Sequence, residues 1–299
     1  MIASLFAALA SVVIHVGAGP TGVTYGAGSL WTANYGTDTV SRVDPVHQKV
    51  VKTIELGNKP FAIAFAAGSV WVGDFDAAYV YRIDPATNKS IAAIPVGSNV
   101  AAIAQAPDGN LWVSEYDGGA VDRIDPSTNT VTVHAVVGGS ADKIAFASNK
   151  VWVTNNDGYV TPVSRSGAVG KAIKIGGHDV DAIVATPRGL WVTTFSGVLA
   201  LIDSVHAKVA RRVSLGGAGN GIAYFKRRLY VSKYSAGKVL QLDAKTGRTL
   251  ARISVGSQPR DLVAVGANLW VVEQGSSDVR RLPRISPMRT SARRGIQGQ

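Results

Sequence analysis

Short apolar stretches that alternate with polar positions recur along the whole chain, each bounded by glycine, proline, asparagine or aspartate. This is the pattern of half-buried strands joined by tight turns. One stretch, Leu30-Trp31-Thr32-Ala33-Asn34, returns as Val70-Trp71-Val72-Gly73-Asp74, Leu111-Trp112-Val113-Ser114-Glu115, Val151-Trp152-Val153-Thr154-Asn155, Leu190-Trp191-Val192-Thr193-Thr194, Leu229-Tyr230-Val231-Ser232-Lys233 and Leu269-Trp270-Val271-Val272-Glu273. The spacing predicts four strands per repeat. In the second repeat they fall at residues 62–65, 70–73, 80–83 and 91–96, after the turn Gly57-Asn58-Lys59-Pro60.

Seven copies at a period of about 40 residues, each with one aromatic strand, are the mark of an all-β, seven-bladed β-propeller of four-stranded blades. The opening glycines Gly17, Gly57, Gly97, Gly138, Gly177, Gly216 and Gly256 are expected at positive φ, where they ease the step between blades. Residues 11–16 precede Gly17 as a fourth strand precedes its glycine, and the seventh repeat supplies three strands. The N-terminal strand is therefore expected to complete the last blade and remove both open sheet edges. The aspartates of Val43-Asp44-Pro45, Ile83-Asp84-Pro85 and Ile124-Asp125-Pro126 read as turn formers, because an Asp side chain at this position accepts a backbone N–H. Val163-Ser164-Arg165 and Leu282-Pro283-Arg284 interrupt that mark in repeats four and seven.

Composition narrows the chemistry. The 299 residues contain no cysteine, which excludes disulfides, thiolate metal sites and a thiol nucleophile. Residues 1–10 are apolar and end in Ala8-Leu9-Ala10, and they read as the remnant of an export signal, hence an extracytoplasmic location. No run reaches the length needed to span a bilayer. Residues 11–284 form the expected propeller, and residues 285–299 read as a basic disordered tail. The formal charge of +11 raises an anionic polymer or nucleic acid as a partner. Gly17-Ala18-Gly19-Pro20-Thr21-Gly22 fits a dinucleotide fingerprint, but a strand follows it where that motif requires a helix.

In a meander, the second-to-third and blade-to-blade loops emerge on one face. More than half of the 20 acids sort there, and Lys226, Arg227, Arg228 and other bases sort to the opposite face. The acidic face also carries Tyr35, Phe75, Tyr116, Phe195 and Tyr234, each one residue beyond the repeated strand. Carboxylates beside rings at a funnel mouth suit a sugar, a lactone, a cationic ligand or a metal. The expected ligand-binding set is Tyr35, Asp74, Phe75, Glu115, Tyr116, Asn155, Asp181, Phe195, Tyr234, Arg260 and Glu273, with His178, Glu115 and Glu273 as candidate catalytic groups.

The repeat best seen in residues 96–138, Leu-Trp-Val-x-Glu-Tyr followed by Val-x-Arg-Ile-Asp-Pro-x-Thr-Asn, resembles the YVTN-type and streptogramin B lyase (virginiamycin B lyase) propellers. That resemblance implies a seven-bladed ring. For the lyases it also implies elimination that opens an ester-linked cyclic peptide, with a histidine after the Pro of a blade-to-blade turn, a glutamate and magnesium. At that turn position this chain has Thr21, Phe61, Ala101, Asp142, Asp181, Asn220 and Arg260, and none is histidine. Related lactonases imply acids and Asn around Mg or Ca, for which Asp74, Glu115, Asp142, Asp181 and Glu273, with Asn155, are the candidate metal ligands. Two readings stay open. One is a monomeric scaffold that binds a small molecule or a protein at the acidic face, and the other is a metal-assisted lyase or lactonase working there. A third has the basic face docking on nucleic acid or another anionic polymer.

Overall fold

The computed structural model describes residues 11–283. The expected export remnant at 1–10 and the basic tail at 285–299 lie outside the described residues. Seven four-stranded antiparallel sheets form the ring, spanning residues 20–55, 60–95, 100–136, 141–174, 180–214, 222–254 and 259–281, here blades 1 to 7. The last sheet is completed by Val13–His15, whose Ile14 pairs with Val279 in the strand Asp278–Arg281. The N-terminal strand closes the ring, as its hydrophobic pattern requires. No helix among the described residues is long and apolar enough to cross a membrane.

The tryptophan of six repeats lies on the second strand and is buried to 0–1% exposure, and the sixth repeat carries the half-buried Tyr230 there. It fills the gap between blades: Trp71 packs against Val100, Leu111 and Val113 of blade 3, and Trp152 against Val180 and Leu190 of blade 5. Most of these indoles also donate to a carbonyl, Trp31 to Gly26 (3.1 Å) and Trp71 to Ala66 (2.9 Å), so a large apolar body enters the core with its polar handle satisfied. Arginines of the third strand lock neighbouring blades together. Arg82 lies 4.8 Å over the Trp71 ring, and its Nη1 donates to Pro126 O (2.7 Å) and Asn129 Oδ1 (2.8 Å) in the next blade's turn. Arg42 repeats this arrangement on Pro85 and Asn88. Asp44, Asp84 and Asp125 accept backbone N–H groups within their own turns. Those bonds hold all three carboxyls below the usual range, with the His47 hydrogen bond taking Asp44 down to about 2. They are turn formers, as expected.

The opening glycines are needed for two different reasons. Gly57, Gly138, Gly177 and Gly216 do sit at positive φ. Gly17, Gly97 and Gly256 do not, which corrects the expectation for these three. A Cβ on Gly97 would come within 2.2 Å of Glu115 Oε2, and one on Gly256 within 2.2 Å of Glu273 Oε2. Here the missing side chain makes room for the carboxylate that ends the second strand.

Candidate functional site

The first strand of each blade is innermost, and neighbouring inner strands pack on one another around the axis. In six blades the pairing of this strand with the second one slips by a residue at its mouth end: between Pro20 and Gly22, Pro60 and Ala62, Val100 and Ala102, Ala141 and Ile144, Val180 and Ala182, and Pro259 and Leu262. A bulge leaves one residue unpaired and re-aims its side chain. The residues released are Thr21, Phe61, Ala101, Asp142, Asp181 and Arg260, and with Asn220 of blade 6 all seven line one axial cavity of about 510 Å³. Farther along the same strands Ile63, Ile103, Ile144, Ile183 and Ile222 line its apolar floor.

The cavity wall has two unlike halves. Blades 1 to 3 supply rings: Phe61 and Phe75 lie 4.7 Å apart, Phe75 and Tyr116 5.6 Å, and Tyr35 packs edge-on against Phe61 at 6.2 Å. Blades 4 and 5 supply the acids Asp142, Asp179 and Asp181. The cations are already engaged. Lys143 Nζ binds Asp142 Oδ1 at 2.7 Å and Ala101 O at 3.2 Å, while Arg260 lies 5.2 Å over Phe61 and donates to Gln274 Oε1 at 3.2 Å. Asp181 Oδ2 is buried and has no hydrogen-bond partner. Burial first, then the charge of Asp142, pushes the Asp181 carboxyl up to about 7. Burial likewise raises Asp261, which accepts from the amides of Val23 and Leu262.

The sign of the Asp181 shift makes a stability prediction. The unfolded side chain ionises near 3.8 and the folded one near 7, so the unfolded state releases its proton first as pH rises through that window, and the fold loses stability there. Asp181→Asn removes the penalty. Discounted for partial exposure, the variant should melt as the parent does below about pH 4 and gain roughly 1–3 kcal/mol by pH 7.5, read from thermal melts at the two pH values. Equal melting at both would show that Asp181 is not held neutral.

Of the residues expected from the sequence, Phe75, Tyr116, Asp142, Asp181, Phe195 and Arg260 line the cavity. Tyr35 packs on its ring cluster, and Tyr234 lies 6.0 Å beneath Arg260. Asp74, Glu115, Asn155 and Glu273 do not line it. They end the second strands at 1%, 1%, 5% and 0% exposure, turned between blades onto the connecting turns. Glu273 Oε1 accepts from Gly256 N at 2.8 Å, Asn155 Nδ2 donates to Gly138 O at 3.3 Å, and Asp74 Oδ1 accepts from Asp76 N and Ala77 N. The five expected metal ligands are thus divided between two environments, because second-strand residues point between blades while bulge residues point to the axis. His178 is exposed and bonded to Asp179 Oδ2 at 2.7 Å. Sequence reading missed Phe61, Lys143 and Asn156 as site residues. For Phe61 and Asn156 the available signal was position, one residue past the blade-opening proline and one past the repeated strand.

Among the described residues, one group of three could hold a divalent metal: Glu115 and Asp122, both buried, with the exposed His134. It lies on three successive strands of blade 3, and none of the three lines the axial cavity.

No family model matches the sequence, and no curated protein matches it. Solved structures do. Hydrazine synthase of Kuenenia stuttgartiensis superposes over 90% of this chain and 97% of that one, with TM-score 0.82 and 18% identity. Virginiamycin B lyase from Staphylococcus aureus covers 92% of this chain and 100% of its own, with TM-score 0.80 and 16% identity. At such identities the likeness is one of fold, and the chain is distantly related in architecture to these seven-bladed propellers.

Proposed function

We propose that the protein is a binding scaffold whose axial cup takes a small organic molecule, with an apolar or aromatic face against Phe61, Phe75 and Tyr116 and a cationic or hydrogen-bond-donating group on Asp181. One observation carries this reading: bulged inner strands and the ends of second strands bring Phe61, Phe75 and Tyr116 from one half of the ring and Asp142 and Asp181 from the other into a cup with an apolar floor. Its volume, about 510 Å³, is that of a small-molecule site. Lys143 and Arg260 already have partners, whereas Asp181 Oδ2 has none. In the ionised form, which a bound cation would favour, the unmet capacity is for a donor.

Calorimetry with a series of aromatic amines and the matching aromatic carboxylates tests this. The amines should bind preferentially. Asp181→Asn should weaken them 10-fold or more, the scale of a charge-assisted hydrogen bond, and Phe61→Ala by a similar factor. Equal binding of carboxylates, or amine binding indifferent to both substitutions, would refute the assignment.

A metal-assisted lyase or lactonase remains the second reading, supported by the unpaired Asp181 oxygen facing the Asp142 charge. Here the two carboxylates would hold Mg²⁺ or Ca²⁺ and polarise an ester or lactone carbonyl. Saturable magnesium or calcium binding abolished by Asp181→Asn would favour it; heats indistinguishable from dilution would remove it.

A further inference from the structure

The seven residues that end the second strands occupy equivalent places, and those of blades 7, 1 and 3 are held in three different ways. In blade 7, Glu273 meets Arg280, whose Nε and Nη2 reach the two carboxylate oxygens at 2.5 and 3.1 Å. Arg280 pairs with Val271 in the ladder, two residues before Glu273. In blade 1 the same place holds Asn34, with Thr39 and Ser41 accepting from its amide at 3.0 and 2.9 Å. Both arrangements are satisfied, one by a built-in cation and one by neutral hydrogen bonds.

Blade 3 differs: its ionisable partner, His134, is bonded to Asp122 and stands off from Glu115. The residue that pairs with Val113, two before Glu115, is Asp122. A carboxylate thus stands where blade 7 has a guanidinium. Glu115 is 1% exposed and Asp122 2%. One Glu115 oxygen, Oε2, is turned to Gly97, where a Cβ would meet it. The other, Oε1, is buried with no hydrogen-bond partner. It faces His134 Nδ1 at 3.7 Å, and the same nitrogen lies 2.8 Å from Asp122 Oδ1. Candidate ligand atoms of all three residues lie within 4.8 Å of one another. Two buried acids at this distance need a positive partner. His134 sits on the outermost strand, with its side chain 53% exposed, so the pocket has a route to solvent.

We propose that Glu115, Asp122 and His134 form a binding site for a divalent transition metal of the zinc type, which pins the three outer strands of blade 3 to the Gly97 turn. One imidazole nitrogen with two carboxylates is a set that zinc accepts and that magnesium and calcium, which take all-oxygen shells, disfavour. Solvent at the His134 side would complete a four-coordinate shell. The site is independent of the axial cup, and neither reading depends on the other.

The test is zinc binding to chelator-treated protein, followed by calorimetry, by metal analysis after dialysis and by thermal melting. One zinc per chain should be retained, and at 100 times the dissociation constant the melting temperature should rise by about 5 °C or more. His134→Ala and Asp122→Asn should each weaken zinc at least 10-fold, and magnesium or calcium should produce no comparable rise. Because His134 is exposed on an outer strand, His134→Ala should fold even if Asp122→Asn does not, which keeps the test decisive. Cobalt should give visible d–d absorption in the parent that His134→Ala removes. No zinc uptake would mean that a proton shared by the two carboxylates is the partner, and would overturn the proposal. Uptake surviving His134→Ala would also overturn it, by placing the zinc elsewhere, for example at His178 and Asp179.

Discussion

Arg280→Ala is expected to destabilise the protein by about 3–5 kcal/mol, a large part of the stability of an ordinary domain. Glu273 is fully buried, and its two oxygens are held by Arg280 Nε and Nη2 and by the Gly256 amide. Removing the guanidinium leaves a buried carboxylate with one backbone donor, and that uncompensated charge accounts for most of the loss. The double variant Arg280→Ala, Glu273→Gln should therefore recover a substantial share, because the glutamine oxygen still accepts from Gly256 and carries no charge. Urea unfolding of the parent, both singles and the double closes the cycle. A single-variant loss below about 1 kcal/mol would mean that water reaches Glu273 and that the pair contributes little.

Removing residues 11–16 should be comparably damaging. Val12 and Ile14 are buried at 9% and 5% exposure against Trp270, Val272 and Val279. The strand also ties to the last blade through Val16 N to Ser277 O at 3.0 Å and Arg281 N to Val12 O at 2.9 Å. Two aliphatic side chains returned to water cost roughly 3–6 kcal/mol together. The exposed edge at Asp278–Arg281 would also become a template for pairing with another chain. The expected outcome is a lower urea midpoint accompanied by concentration-dependent association on size exclusion. Ile14→Asp should reproduce the loss of stability with the edge still covered, which separates the two effects. An unchanged midpoint in both variants would show that ring closure does not rest on this strand.

These two cases also measure what pattern alone conveys. The closing strand was legible because Ser11-Val12-Val13-Ile14-His15-Val16 carries the alternation of every other fourth strand, and a period-2 pattern with one buried face has one register that hides its apolar side. Glu273 was singled out, but for the wrong surroundings. Its spacing puts it at the end of a second strand, and nothing in the spacing says that the end of that strand faces the turn leading into its own blade. The same holds for Glu115. Its partners Asp122 and His134 come from the third and fourth strands, 7 and 19 residues on, and meet it only when the sheet pairs.

The axial cup divides along the same line. Its rings and acids were found by sorting loops to one face, since a meander fixes which loops share a face. Lys143 was overlooked because a bulge is a property of pairing between two strands, and a single strand's sequence does not carry it. By itself, the chain determines the number of blades, the Asp-led turns, the closing strand and the face on which polar chemistry gathers, because all of these follow from repeats and from the two-residue period of a strand. Only the tertiary structure decides which residue of each inner strand turns to the axis, which glycines serve conformation and which make room, and which acids meet a cation, because each of these depends on atoms brought together from different strands or from neighbouring blades.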